Sequence, residues 1–231
     1  MVEETGGEVR VTKQLQQINM IGFSGGKRDC LKLLVHQPAR VVFTVGASLV
    51  VRDLETGKQE VVVGHSYPVV SVSLSPSGQY LASGEAASLG VRARVVCWDT
   101  RTWSMVGSHQ THHARVEAVA LSEDDNLLVS LGGEDDQNIV VWSLIERKPV
   151  SSHRLGNGKS GPGRVISFIS PDTFLTGGQD LLQCWKLTVG KLSCTNISLG
   201  KLKRELISVE RDPCRDCVYF GTRSGDIVKV I

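Results

Sequence analysis

Apolar and polar residues alternate with a period of two in short runs, as in Val70-Ser-Val-Ser-Leu74 and Glu117-Ala-Val-Ala-Leu121. That period puts successive side chains on opposite faces of a β-strand with one face buried. Other runs, such as Ile139-Val-Val-Trp142, are apolar throughout and predict strands covered on both faces. The runs come in blocks that repeat. His65-Ser-Tyr-Pro-Val-Val-Ser-Val-Ser-Leu-Ser-Pro-Ser-Gly returns as His112-His-Ala-Arg-Val-Glu-Ala-Val-Ala-Leu-Ser-Glu-Asp-Asp. The first block closes at Cys97-Trp98-Asp99 and the second at Val141-Trp142-Ser143.

A period of about 45 residues, with Gly-His near the start and Trp-Asp near the end, is the signature of a β-propeller blade of the WD-repeat type. The first copy is slightly longer through Glu85–Arg94, a loop insertion of the kind surface connections tolerate. Weaker units flank these two. Val165-Ile-Ser-Phe-Ile leads through Phe174-Leu-Thr-Gly-Gly to Leu182-Gln-Cys-Trp185, and Leu206-Ile-Ser-Val leads through Val218-Tyr-Phe-Gly-Thr to Asp226-Ile-Val-Lys-Val230. An earlier unit, from about Leu31 to Val63, has Arg52-Asp53 where Trp-Asp is expected. The fold class is therefore all-β, a WD-repeat β-propeller with about five blades. The expected blades are 28–63, 64–110, 111–155, 163–199 and 204–231, within a domain spanning 21–231.

Blades of this kind bury polar side chains that need partners. The third unit offers His112, Ser130, Asp135 or Asp136, and Trp142. The second offers His65, Ser83 and Trp98, with Glu85 as the nearest acid, and the fourth offers Thr176 and Trp185. These groups are expected to hold each blade together rather than to perform chemistry.

Composition narrows the function classes. The formal net charge is +2, and no block of like charge reads as a nucleic-acid arm. Lys201-Leu-Lys-Arg204 reads as a solvated loop. No apolar run approaches the ~20 residues that span a bilayer, so no membrane partner is expected. The acidic start Met1-Val-Glu-Glu does not read as a secretory signal. Six scattered cysteines, with Cys97 and Cys184 directly before a strand Trp, suggest buried free thiols in a reducing compartment. Cys214-Arg-Asp-Cys217 has the spacing of half a zinc site but lacks a second pair. His109-Gln-Thr-His-His113 reads as a loop in which His109 and His113 face solvent. Gly156-Asn-Gly-Lys-Ser160 lacks the upstream Gly and the following helix of a phosphate-binding loop, and reads as a connector. No catalytic, metal-binding or cofactor-binding residues are assigned, and no enzyme is expected.

Some stretches go beyond the generic repeat. They are Ile21-Gly-Phe-Ser-Gly-Gly, Leu127-Leu-Val-Ser-Leu-Gly-Gly-Glu-Asp-Asp136 and Tyr219-Phe-Gly-Thr-Arg-Ser-Gly-Asp-Ile-Val-Lys229. In this order they resemble the N-terminal part of the cilia- and flagella-associated protein 52 family, WD-repeat proteins of motile cilia. The resemblance implies a non-catalytic scaffold in the cytoskeleton of the ciliary or flagellar axoneme, with tubulin and other axonemal proteins as partners. It also implies that the five blades are an incomplete part of a seven-bladed propeller. The N-terminal segment 1–20, or the overlapping region Val9–Phe23, is expected to offer a closing strand. A generic adaptor recruiting peptides or proteins into a cytosolic complex is the alternative. Arg94, Arg115 and Arg164 would be its candidate contacts by residue type.

Overall fold

The computed structural model describes residues 2–5, 8–11, 20–23, 29–37, 39–155, 161–200, 203–212, 214–215 and 217–231. Among them there is no α-helix. Besides a two-stranded pair near the start, the described strands form five antiparallel sheets, each a meander in which consecutive strands pair. Blade 1 contains β3 (Leu31–Leu33), β4 (Arg40–Val45), β5 (Ser48–Asp53) and β6 (Gln59–Val63). Blade 2 contains β7 (Val69–Leu74), β8 (Tyr80–Glu85), β9 (Arg92–Asp99) and β10 (Met105–His113). Blade 3 contains β11 (Val116–Leu121), β12 (Leu127–Gly132), β13 (Asn138–Ser143) and β14 (Lys148–Arg154). Blade 4 contains β15 (Gly163–Ser170), β16 (Thr173–Gly178), β17 (Leu181–Thr188) and β18 (Lys191–Asn196). Blade 5 has three strands, β19 (Leu206–Asp212), β20 (Cys217–Thr222) and β21 (Ile227–Val230).

The turns explain why the chain reverses where it does. Between the first two strands of blade 2, Ser75 Oγ accepts the Tyr80 N–H at 3.1 Å, and Gly78 takes φ +72°. Blade 3 repeats this turn with Ser122 Oγ on the Leu127 N–H at 2.9 Å, but Asp125 takes the positive φ, +58°. After the third strand, Asp99 Oδ1 accepts the N–H groups of Arg101 and Thr102, each at 2.9 Å. Asp53 makes the same turn in blade 1, although the preceding residue is Arg52. The Asp of Trp-Asp is thus a turn cap, and it survives where the Trp does not.

The core lies between blades. Four buried clusters each join neighbouring sheets. One links Leu49 and Val51 of blade 1 to Leu81 and Trp98 of blade 2, and another links Val95 and Cys97 of blade 2 to Leu128 and Trp142 of blade 3. The third sets Val129 and Val141 against Phe174 and Trp185, and the fourth sets Leu175 and Leu182 against Val218 and Phe220. Among the described residues no buried cluster joins blade 5 to blade 1. The first strands β3, β7, β11, β15 and β19 stand in sequence around a central cavity of about 630 Å³.

Several regions differ from the sequence reading. β1 (Val2–Thr5) and β2 (Glu8–Val11) pair with each other as a separate two-stranded sheet, and neither joins a blade. His109–His113 lies in strand β10, not in a loop, and β10 extends past the boundary expected at 110. An outer blade strand has a free edge and takes polar residues, so it lacks the apolar alternation that marks inner strands. Cys97 is buried, but Cys184 is only partly so. Burial pushes the Cys97 thiol up to about 12. The connector 156–160, the pair Lys201-Leu202, residues 12–19 and the stretch 24–28 lie outside the described residues.

Candidate functional site

Two blades carry a buried polar relay built on matching positions. In blade 2, Trp98 Nε1–H donates to Ser83 Oγ at 2.8 Å, and Ser83 Oγ lies 2.7 Å from His65 Nε2. His65 Nδ1 lies 3.0 Å from Glu85 Oε2. The carboxylate can only accept, so Nδ1 carries the imidazole proton. The indole can only donate, which leaves the serine proton for Nε2. The donors therefore run Trp98, Ser83, His65, and the relay ends on Glu85 as acceptor. Burial lowers the His65 pKa, outweighing the Glu85 hydrogen bond and charge, and this favours the neutral ring that the order requires.

Blade 3 repeats the relay. Trp142 Nε1–H donates to Ser130 Oγ at 3.0 Å, Ser130 Oγ lies 2.7 Å from His112 Nε2, and His112 Nδ1 lies 2.6 Å from Asp136 Oδ2. Of the two acids the sequence left open, Asp136 is buried in the relay and Asp135 is exposed outside it. Asn138 Nδ2–H donates to the other Asp136 oxygen at 2.5 Å. In blade 4, Trp185 Nε1–H donates to Thr176 Oγ1 at 2.8 Å. The turn after Thr176 is only Gln179-Asp180, too short to return an acid as the blade 3 turn does.

The two relays obtain their carboxylate differently. Glu85 and Gly132 occupy the same last position of the second strand. In blade 2 that residue supplies the acid itself. In blade 3 a Cβ at Gly132 would sit 2.8 Å from Cβ and Cγ of Asp136, so glycine clears the space into which the turn acid folds. Blades 1 and 5 have no relay at these positions. Phe43 and Phe220 stand where the Ser or Thr would be, and Arg52 and Val230 stand where the Trp would be. Removing both partners together leaves no buried polar orphan.

Ser130, His112 and Asp136 follow the order of a hydrolytic triad, but Ser130 and His112 are fully buried. Ser130 Oγ already accepts the Trp142 indole N–H, and its proton goes to His112. The arrangement links β12 to β13 within blade 3. It also joins blades, because His112 sits at the end of β10 while its ring enters blade 3. The ring contacts between outer-strand histidines and the next tryptophan are not evident from sequence. His109 stacks on Trp142 with centroids 3.8 Å apart, and His153 meets Trp185 at 5.1 Å.

The candidate arginines are engaged within the chain. Arg94 Nη1–H donates to the Gly64 carbonyl at 2.9 Å, and Arg115 pairs with Glu117 at 2.6 Å. Arg164 reaches Glu117, Glu134 and Glu205 at 3.4, 2.7 and 3.6 Å, tying blades 3, 4 and 5. Burial works against its charge, but these carboxylates hold its pKa above the ordinary value. Among the described residues no group of three or more His, Cys, Asp or Glu is placed to hold a metal ion.

The model of the WD domain, G-beta repeat, matches residues 57–99 and 103–143, the segments that hold the blade 2 relay and the blade 3 relay. The chain carries WD40 repeats. It is 30% identical over 224 residues to human cilia- and flagella-associated protein 52, covering 94% of this chain and 36% of the relative. The protein of that name from Chlamydomonas reinhardtii is 31% identical over 216 residues, covering 92% and 35%. WD repeat-containing protein 90 of Mus musculus is 32% identical over 218 residues, covering 90% and 11%. The chain thus spans about a third of the length of the cilia- and flagella-associated relatives it matches. A chain from a crystal structure of the mitotic checkpoint complex shares the fold, with a TM-score of 0.68 at 18% identity over 83% of this chain and 58% of that one.

Proposed function

We propose that this WD40 chain is a non-catalytic structural component of the ciliary or flagellar axoneme. In this reading its blade loops contact tubulin and neighbouring proteins of the doublet microtubule. The observation that carries the reading is similarity over more than nine-tenths of the chain to relatives named cilia- and flagella-associated, from human to Chlamydomonas reinhardtii.

The chemistry of the blades supports it. The hydrogen-bonding groups of the relays are used internally, and Arg94, Arg115 and Arg164 are engaged by groups of the chain itself. What remains for a partner is a rigid frame with many short loops, which suits binding distributed over a broad surface. The direct test is to assemble microtubules from purified tubulin in the presence of this protein and sediment them. The protein is expected in the pellet in proportion to tubulin. Recovery only in the supernatant, with well-formed microtubules below it, contradicts tubulin binding.

A further inference from the structure

Blade 1 has two faces with different fates. Val42, Leu49, Val51 and Val62 pack against blade 2. Strand register places Leu31, Phe43, Val50 and Val61 in one row on the opposite face, with Leu33 and Val41 in the next row. That face looks away from every other blade cluster, and Leu31 and Leu33 are 51% and 54% exposed. Phe43 and Val50 at its centre are nevertheless only 8% and 0% exposed.

Part of the cover comes from the chain itself. Phe23 meets Phe43 edge-on, with centroids 6.2 Å apart and an interplanar angle of 84°. Met20 N–H donates to Gln59 Oε1 at 2.8 Å, and Gln59 belongs to the Leu33–Val41 row of the same face. Between these anchors Gly22 adopts φ +115°, which side-chain-bearing residues rarely take. The free face of blade 5 needs no such cover, because Glu210, Tyr219 and Lys229 share a row there.

We infer that Met20–Phe23 is an intramolecular strap laid across the free face of blade 1, shielding its apolar centre from solvent and from other sheets. This differs from a closing strand, which would add to a sheet edge through backbone pairing. Among the described residues the strap is held by one aromatic contact and one hydrogen bond, while Ile21 between them is 97% exposed. It is therefore built to lift without unfolding the blade.

Hydrogen exchange on the full 231-residue chain tests this, comparing Phe23→Asp and Gly22→Ala with the parent. Phe23→Asp is expected to speed exchange of the β4 and β5 amides about tenfold while β12 and β13 stay unchanged. Gly22→Ala is expected to act in the same direction. A Cβ there meets nothing within 4 Å, so its effect reads the backbone turn alone. Should Phe23→Asp unfold the whole chain, Gly22→Ala decides by the same readout. Parent-like exchange of β4 and β5 in a folded variant overturns the strap.

Discussion

His112 Nδ1 lies 2.6 Å from Asp136 Oδ2, so one hydrogen bond joins the end of the outer strand of blade 2 to a turn of blade 3. Both side chains are buried. The bond therefore couples the stability of one blade to the folding of the next, and its loss cannot be made good by solvent.

The two ways of supplying a carboxylate give a paired prediction. Asp136→Ala leaves His112 and Asn138 without their acceptor and is expected to cost about 3 kcal/mol in urea unfolding. Adding Gly132→Glu to Asp136→Gly, which also removes the Cβ that a side chain at 132 would meet at 2.8 Å, copies the blade 2 arrangement, where the strand residue provides the acid. The double variant is expected to recover at least about half of the loss, as coupled neighbours do in a double-mutant cycle. A double variant less stable than Asp136→Gly would show that the two sites are not equivalent.

Stability should depend on pH in two windows. Burial holds the folded pKa of His65 below the ordinary 6.5, so the unfolded chain binds more protons around that pH. The His65 contribution is complete above 6.5 and declines as the pH falls below it. For Asp136, burial alone would raise the pKa, but the His112 bond and charge, the Asn138 bond and a backbone N–H lower it below 3.8. Its contribution is present above 3.8 and is lost as the pH falls through its lower folded value. Thermal melting across this range should show a first fall below 6.5 that His65→Gln weakens. A melting temperature that rises on acidification through that window contradicts the assignment.

Asp125 holds the positive-φ position that Gly78 fills in the preceding blade, and its Oδ1 is buried without a hydrogen-bond partner. Asp125→Gly removes both penalties while freeing the unfolded backbone. The net expectation is a gain of about 0.5–1 kcal/mol, measured by chemical denaturation. A loss would mean that the carboxylate has a role beyond the turn.

The blades were legible because each packing strand repeats a strong pattern, above all around Trp98 and Trp142. Blades 1 and 5 were legible by order and turn residues, although Phe43 and Phe220 replace the relay hydroxyl. The choice between Asp135 and Asp136 was not legible, since only the turn geometry decides which adjacent side chain points inward. The strand character of His109–His113 was also hidden, because an outer strand rich in polar residues carries no period-two signal. The contacts of His109 with Trp142 and His153 with Trp185 cross between sheets, where pattern within one strand says nothing.

The most direct test of the functional account is to tag the endogenous protein in flagellated cells and extract isolated axonemes with rising salt. Retention on doublet microtubules at high salt is the expected result, since contacts sheltered from solvent are screened far less than exposed charge pairs. A soluble cytosolic pool with no axonemal signal would contradict a structural role in the cilium.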